Sequence, residues 1–329
     1  MRKHLPAAIL LSCSLIIIVS LCSWGFYAHE TATQLAVYQL PKNLQEFFFS
    51  NIDSLTAHSI RPDKRRYTDK AENPKHFIDL EAYSNNAFDE MPRNWQQAIK
   101  KYSLDTLRKY GFLPYQVLIE YDSLVIAFKQ KNAERIIFYA DDLAHYIEDA
   151  NVPLHTAINY DGQLTNQKGL HALWESTVPE LELSTYNLHT NHKAKYITEK
   201  SAAIWNAVKQ AHDLLPEVFA KEKEVAKNFP GNSKYVERKY HSRKTNVYSN
   251  KFAKQYAAAL GASINNQLIH SANMVSDFWY SAWVDAGKPN LKNLYHFSRK
   301  NKKKLCRELK SDKRNRLLQD SLLMAKKEY

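Results

Sequence analysis

Residues 141–175, DDLAHYIEDANVPLHTAINYDGQLTNQKGLHALWE, place His145, Asp149, His155, His171 and Glu175 within thirty-one positions. His145 and Asp149 are four apart in a segment, 132–150, whose apolar residues recur at helical spacing, so both side chains leave one face and can close on one ion. His171 and Glu175 repeat the arrangement in GLHALWE. Between the pairs, Pro153 disfavours helix at Val152 and turns the chain, so His155 comes off a bend. A single pair of this kind is more often a surface or core hydrogen bond than a ligand set. Two pairs and a turn histidine in one short stretch point instead to metal. Nitrogen and oxygen donors without thiolate suit zinc in an open, catalytic site.

Helical spacing continues outward on both sides. Only 7 glycines occur in 329 residues, against 20 tyrosines and 14 phenylalanines, and neither a run of alternating strands nor an internal repeat is visible. These features predict an all-α protein with a single compact multi-helix domain. The spacing predicts helices over 42–60, 93–110, 113–130, 132–150, 196–226 (interrupted at Pro216) and 249–286, the last stopped by Gly287-Lys288-Pro289. Residues 24–40 read as a short extended lead into a helix with His29 at its mouth. The charged loop after Ile60 carries Asp63 and His76, and 230–248 reads as a polar, basic, mobile loop. Phe278, Trp279, Tyr280 and Trp283 read as core.

The chain opens with Arg2 and Lys3 before an apolar run from Pro6 to Cys22, which reads as a signal peptide over 1–23, a retained anchor being the alternative. Cleavage after Ser23 would expose Trp24 and remove Cys13 and Cys22, leaving Cys306 alone in a secreted or periplasmic protein. The net charge of +12 is concentrated at the other end, where residues 288–329 hold fourteen Lys/Arg against four Asp/Glu. The domain from 24 to 287 is therefore close to neutral, and 288–329 reads as a basic helical or disordered tail, a candidate for peripheral contact with an anionic membrane. No protein partner is implied.

Taken in order, Trp24, His29, Asp63, His76, His145, Asp149, His155, His171 and Glu175 resemble the ligand series of the bacterial zinc-dependent phospholipase C and single-strand-specific nuclease superfamily. The resemblance covers roughly residues 24–285 and implies that family's all-α fold and three zinc ions. Asp63, His76, His145 and Asp149 would hold the first ion; His155, His171 and Glu175 the second; the Trp24 amino terminus, His29 and Asp149 the third. Asp63 is preferred over the nearby Asp69 and Asp79. The spacing from Trp24 to His29 is like the nuclease branch, whereas His-x3-Glu at 171–175 is like the phospholipase branch, and the cysteine pairs of the fungal nucleases are missing.

The implied activity is hydrolysis of phosphate esters by a zinc-bridging hydroxide, with Asp63 orienting or deprotonating the water. The substrate is a phospholipid, in a phospholipase C-like reaction, or alternatively a single-stranded nucleic acid or 3′-nucleotide. A non-catalytic, metal-stabilised membrane-binding protein is the third reading. Arg65 and Arg66 are candidates for substrate phosphate, with a solvated basic loop as the plainer account. Phe26, Tyr27 and Tyr160 adjoin ligands and are candidates to line the pocket. Asp142, Glu148 and Glu180 are candidates to orient the histidines.

Overall fold

In the computed structural model, which describes residues 25–240 and 243–326, the apolar stripes of the helices meet in one shared core. The stretch read as a signal peptide and Trp24 lie outside the described residues. Among the described residues, no helix is long and apolar enough to cross a membrane.

The central element is the helix Phe26–Gln39, buried at every residue from His29 to Gln39. It begins at Phe26, without the extended lead expected from the sequence, so His29 sits in the first turn. Around it pack Ser263–Asp285 and Ala133–Asp149, and the latter pairs closely with Leu113–Gln130. That last pair is joined through Lys131, in the left-handed region (φ 51°), and Asn132, whose side chain accepts from the Arg135 N–H at 3.0 Å to cap the next helix. Phe278 and Trp279 are fully buried; the indole N–H of Trp279 donates to the Ala140 carbonyl at 3.0 Å, and its ring stacks on Phe48.

Several expected helices divide. The 42–60 stretch breaks into Lys42–Ser50 and Ile52–His58, and 93–110 breaks at Ser103 (φ 67°), whose hydroxyl caps the second piece. The 196–226 stretch becomes Lys200–Asp213 and Leu215–Ala226 because Pro216, lacking an N–H, fits only the first turn of a new helix. The long C-terminal helix breaks at Gly261 (φ 58°).

Two expectations need correction. Residues 230–248 are not a mobile loop: Tyr235–Tyr240 pairs antiparallel with Arg243–Tyr248, Tyr235 opposite Tyr248. The foot of this hairpin is fixed by the Tyr248 hydroxyl donating to Glu222 and the Tyr235 hydroxyl donating to the Lys168 carbonyl. Charges on both strands obscure the alternation, and the connection lacks an Asn-Gly or Asp-Gly signal. Nor is the C-terminal segment a tail separate from the body. Helix Arg299–Asp312 and the turns after it bury Leu305, Leu317, Leu322 and Leu323 in the common core. The Tyr38 hydroxyl donates to Glu308 (2.8 Å), and Gln34 donates to the Leu322 carbonyl (2.9 Å) while accepting from the Met324 N–H (2.8 Å).

Candidate metal centre

Helix Ala133–Asp149 buries Ile136, Ala140, Leu143, Ala144 and Ile147, and this fixes its rotation so that His145 and Asp149 project together into the interior. Beyond Asp149 the helix stops, and Pro153 opens a single 3-10 turn, Pro153–Thr156, that carries His155. The next ligand pair follows Gly169. His171 lies on Leu170–Ala172, and Glu175 lies on a π-helical turn, Leu173–Thr177, which brings their side chains to 2.6 Å (Nε2 to Oε2). π-turns recur at functional sites because they re-aim a side chain.

His76 arrives from a distant part of the chain, and backbone bonds hold it. The Ile78 N–H donates to the His155 carbonyl, the Leu113 N–H to the Phe77 carbonyl and the Asp79 N–H to the Tyr110 carbonyl. Gly111 (φ 82°) is required here, since a Cβ would stand 2.1 Å from the Phe77 oxygen. Asp63 is presented by the short helix Arg61–Arg65, which Arg61 anchors by lying over Phe138 and bonding Asp142.

These pieces make three clusters, of which the first two share His145: His29, His145 and Asp149; Asp63, His76 and His145; and His155, His171 and Glu175, the ligand atoms of each within 4.8 Å of one another. Asp149 links the first two. Its Oδ2 is 2.9 Å from His76 Nδ1 and 3.3 Å from His145 Nε2, while its Oδ1 is 3.5 Å from His155 Nδ1 and 3.8 Å from His29 Nε2. The first cluster is buried and the second is buried except at Asp63, which is partly exposed, whereas the third opens outward through His171, whose side chain is 28% exposed.

The outer hydrogen bonds settle the tautomers. His145 Nδ1–H donates to the Ser59 carbonyl (2.8 Å) and His155 Nδ1–H to the His76 carbonyl (2.6 Å), so the Nε2 lone pair of each ring points inward. There, His145 Nε2 meets His76 Nδ1 at 3.1 Å, and His155 Nε2 meets His171 Nε2 at 2.9 Å. Two lone pairs this close repel, so each pair shares either a proton or a metal ion, and carboxylates that favour a cation surround both pairs. The donor set therefore fits metal.

The electrostatics agree. Burial works against the His155 cation, but Asp149 and Glu175 overcome it and raise its pKa to about 9. Burial likewise opposes charge on His29, yet Glu148 and Glu175 raise it well above the usual value. His145, for which burial dominates, is lowered to about 4. Burial disfavours the Asp149, Glu175 and Asp63 carboxylates, but the adjacent histidines outweigh it and hold all three below the usual carboxylate range.

Of the remaining residues singled out in the sequence, Arg65 turns away from the clusters, its guanidinium held by Glu72 (2.9 Å) and Asp142 (2.8 Å). Arg66 pairs with Asp63 at 3.1 Å. Phe26 is half-buried under the Lys64 ammonium, and Tyr27 lines a hollow with His29, Glu148 and Glu175. Tyr160 is exposed and sits edge-on to His171, 6.1 Å between ring centres. Trp24 lies outside the described residues; Gly25 abuts Glu175 so closely that an added Cβ would stand 3.2 Å from Oε1.

Glu148 binds His29 Nδ1 at 2.5 Å and accepts from Thr33 Oγ1 at 3.0 Å. Asp142 serves Arg61 and Arg65 instead of a histidine. Glu72 went unnoticed in the sequence. It is buried behind His76, 3.7 Å from Nε2, and accepts from Arg65, Lys75 and the Tyr146 hydroxyl. Its one local signal is the i,i+4 spacing to His76. Because partners of this kind fix ligand orientation, Glu148→Gln should weaken metal binding at the His29 cluster by about 10–100-fold, read by competition with a chelating dye. Unchanged affinity would remove Glu148 from that role.

In comparisons with known proteins, no family model and no curated protein matches the chain.

Proposed function

We propose that this chain is a metal-dependent hydrolase of phosphate esters, and within that class a phospholipase C-like enzyme that releases phospholipid headgroups. The observation that carries the reading is a pair of shared carboxylates: Asp149 faces His76 and His145 with one oxygen and His29 with the other, and Glu175 faces His29 with one oxygen and His155 and His171 with the other, so that three donor clusters adjoin in one centre. Zinc is the metal that the nitrogen-rich, thiolate-free donors favour, held by Asp63, His76, His145 and Asp149, by His155, His171 and Glu175, and by His29 with Asp149 and the Trp24 terminus, for three ions. Bound zinc would lower the pKa of water and neutralise charge developing on a phosphodiester.

The chain's own residues supply the rest. Asp63 stays ionised, and its side chain is 15% exposed, so its carboxylate can take a proton from an attacking water. His171 and Glu175 present the open edge of the centre to substrate. The loop leading to His171 exposes the apolar side chains of Ile158, Tyr160 and Leu164, which suits contact with a lipid substrate. Arg65 and Arg66 are engaged by carboxylates, which leaves neither as the start of a basic groove for a polynucleotide. The nuclease reading is favoured by one feature, the exposed Tyr160 ring beside His171, on which a base could stack.

The protein beginning at Trp24, its N-terminus verified and purified with zinc, would be assayed on phosphatidylcholine, single-stranded RNA and a 3′-nucleotide, each with and without chelator. Chelator-sensitive release of phosphocholine is the expected result. Chelator-sensitive nucleotide cleavage would transfer the protein to the nuclease branch, and no turnover on any substrate would leave the non-catalytic reading.

A further inference from the structure

We infer that the outward face of helix Arg299–Asp312 is a docking surface for an anionic lipid bilayer, separate from the metal centre and independent of what that centre does. Arg299, Lys302, Lys303, Arg307, Lys310 and Arg314 are exposed and line one shallow hollow along this helix. The five from Arg299 to Lys310 span about 16 Å of helix axis, and Arg314 follows in the turn after Asp312. None of the six has an ion pair among the described residues, although their neighbours Lys304 and Arg316 pair with Asp53 and Asp320.

A merely solvated face would interleave both signs at i,i+3 and i,i+4. Here the two acids of the helix are turned inward: Glu308 accepts from Tyr38, and Asp312 bonds His189 Nδ1 at 2.9 Å. Burial of the two acids leaves the helix's own outer face with cations alone, and Asp320, the one acid lining the hollow, is paired with Arg316. Burial of Leu305 and the leucines after it fixes those cations on a docked scaffold instead of a free tail. The hollow is lined otherwise by Cys306, Ser311 and Asp320, with no aromatic ring. Single-stranded nucleic acid is gripped by base stacking as well as charge. A surface of many phosphate headgroups asks only for charge, and charge is what this face offers. Tyr38, where the helix crosses, lies roughly 13 Å along the central helix from His29, so lipid there need not obstruct the metal centre.

The test is co-sedimentation of the full chain with vesicles of phosphatidylcholine alone and of phosphatidylcholine mixed with phosphatidylglycerol. Truncation is unsuitable because it would uncover the core. Binding should be at least tenfold tighter to the anionic vesicles and should weaken as salt rises. Combined Lys302→Gln, Lys303→Gln, Arg307→Gln and Lys310→Gln should lower it by roughly 600-fold, since each of the four cations is worth about fivefold, with thermal unfolding as the folding control. Combined Lys302→Arg, Lys303→Arg and Lys310→Arg should preserve it. Equal binding to both vesicles, wild-type binding by the folded glutamine variant, or tighter binding to a single-stranded oligonucleotide than to anionic vesicles would each overturn the assignment.

Discussion

Replacing Asp149 with asparagine should lower phosphodiester turnover by on the order of a thousandfold or more, because the several kcal/mol that a metal contributes to phosphoryl chemistry depends on its full ligand set. The effect should exceed that of any other single ligand. Asp149 alone faces His76 and His145 with one oxygen and His29 with the other, and so serves two of the clusters. Asparagine keeps the shape but removes the charge and places an NH2 donor where an acceptor is needed. Metal content by elemental analysis should fall with activity. A folded Asp149→Asn protein with full metal content and normal turnover would refute the shared-carboxylate account.

Chelation should have the second-largest effect, and on stability as well as activity. A metal present at a thousand times its dissociation constant stabilises the fold by about 4 kcal/mol per site. In a chain of this size, 1 kcal/mol moves the melting temperature by roughly 2 °C, so chelator should lower it by about 10 °C or more. Zinc should restore it and magnesium should not. Metal uptake at neutral pH should also release protons. In the metal-free protein the His155 pKa stands at about 9 and that of His29 is raised well above the usual value, so both carry protons at pH 7 that a ligand nitrogen must lose. Affinity should therefore rise as pH increases towards 9. Calorimetric titrations in buffers of different ionisation enthalpy measure the release, and a chelator-indifferent melting curve would contradict the metal reading outright.

The legible part of this protein was local. The i,i+4 intervals 145/149 and 171/175 and the Pro153 turn are governed by backbone geometry within a few residues, and in the structure their side chains converge. Helical spacing likewise marked the apolar stripes and Pro216 the break at Leu214, although breaks at Asn51, Ser103 and Gly261 were harder to see, because each is decided by how the flanking helices pack. The hairpin at 235–248 escaped notice because its charged residues mask the alternation that normally marks a strand.

What acts at long range was not readable in the same way. That His145 offers Nε2 depends on the Ser59 carbonyl, that His155 does so depends on the His76 carbonyl, and Arg65 is drawn from any substrate by Glu72 and Asp142. Periodicity carries no information about such partners, since they come from segments whose relative position is set only when the core closes. The same holds for the basic segment, whose composition announced its charge but not its docking. By itself, the sequence determined an all-α chain with a dense His/Asp/Glu series and a basic end. The tertiary structure decided which lone pairs converge, that Asp149 is shared between two of the clusters, and that the basic end is a fixed surface, because each of these depends on packing between residues far apart in the chain.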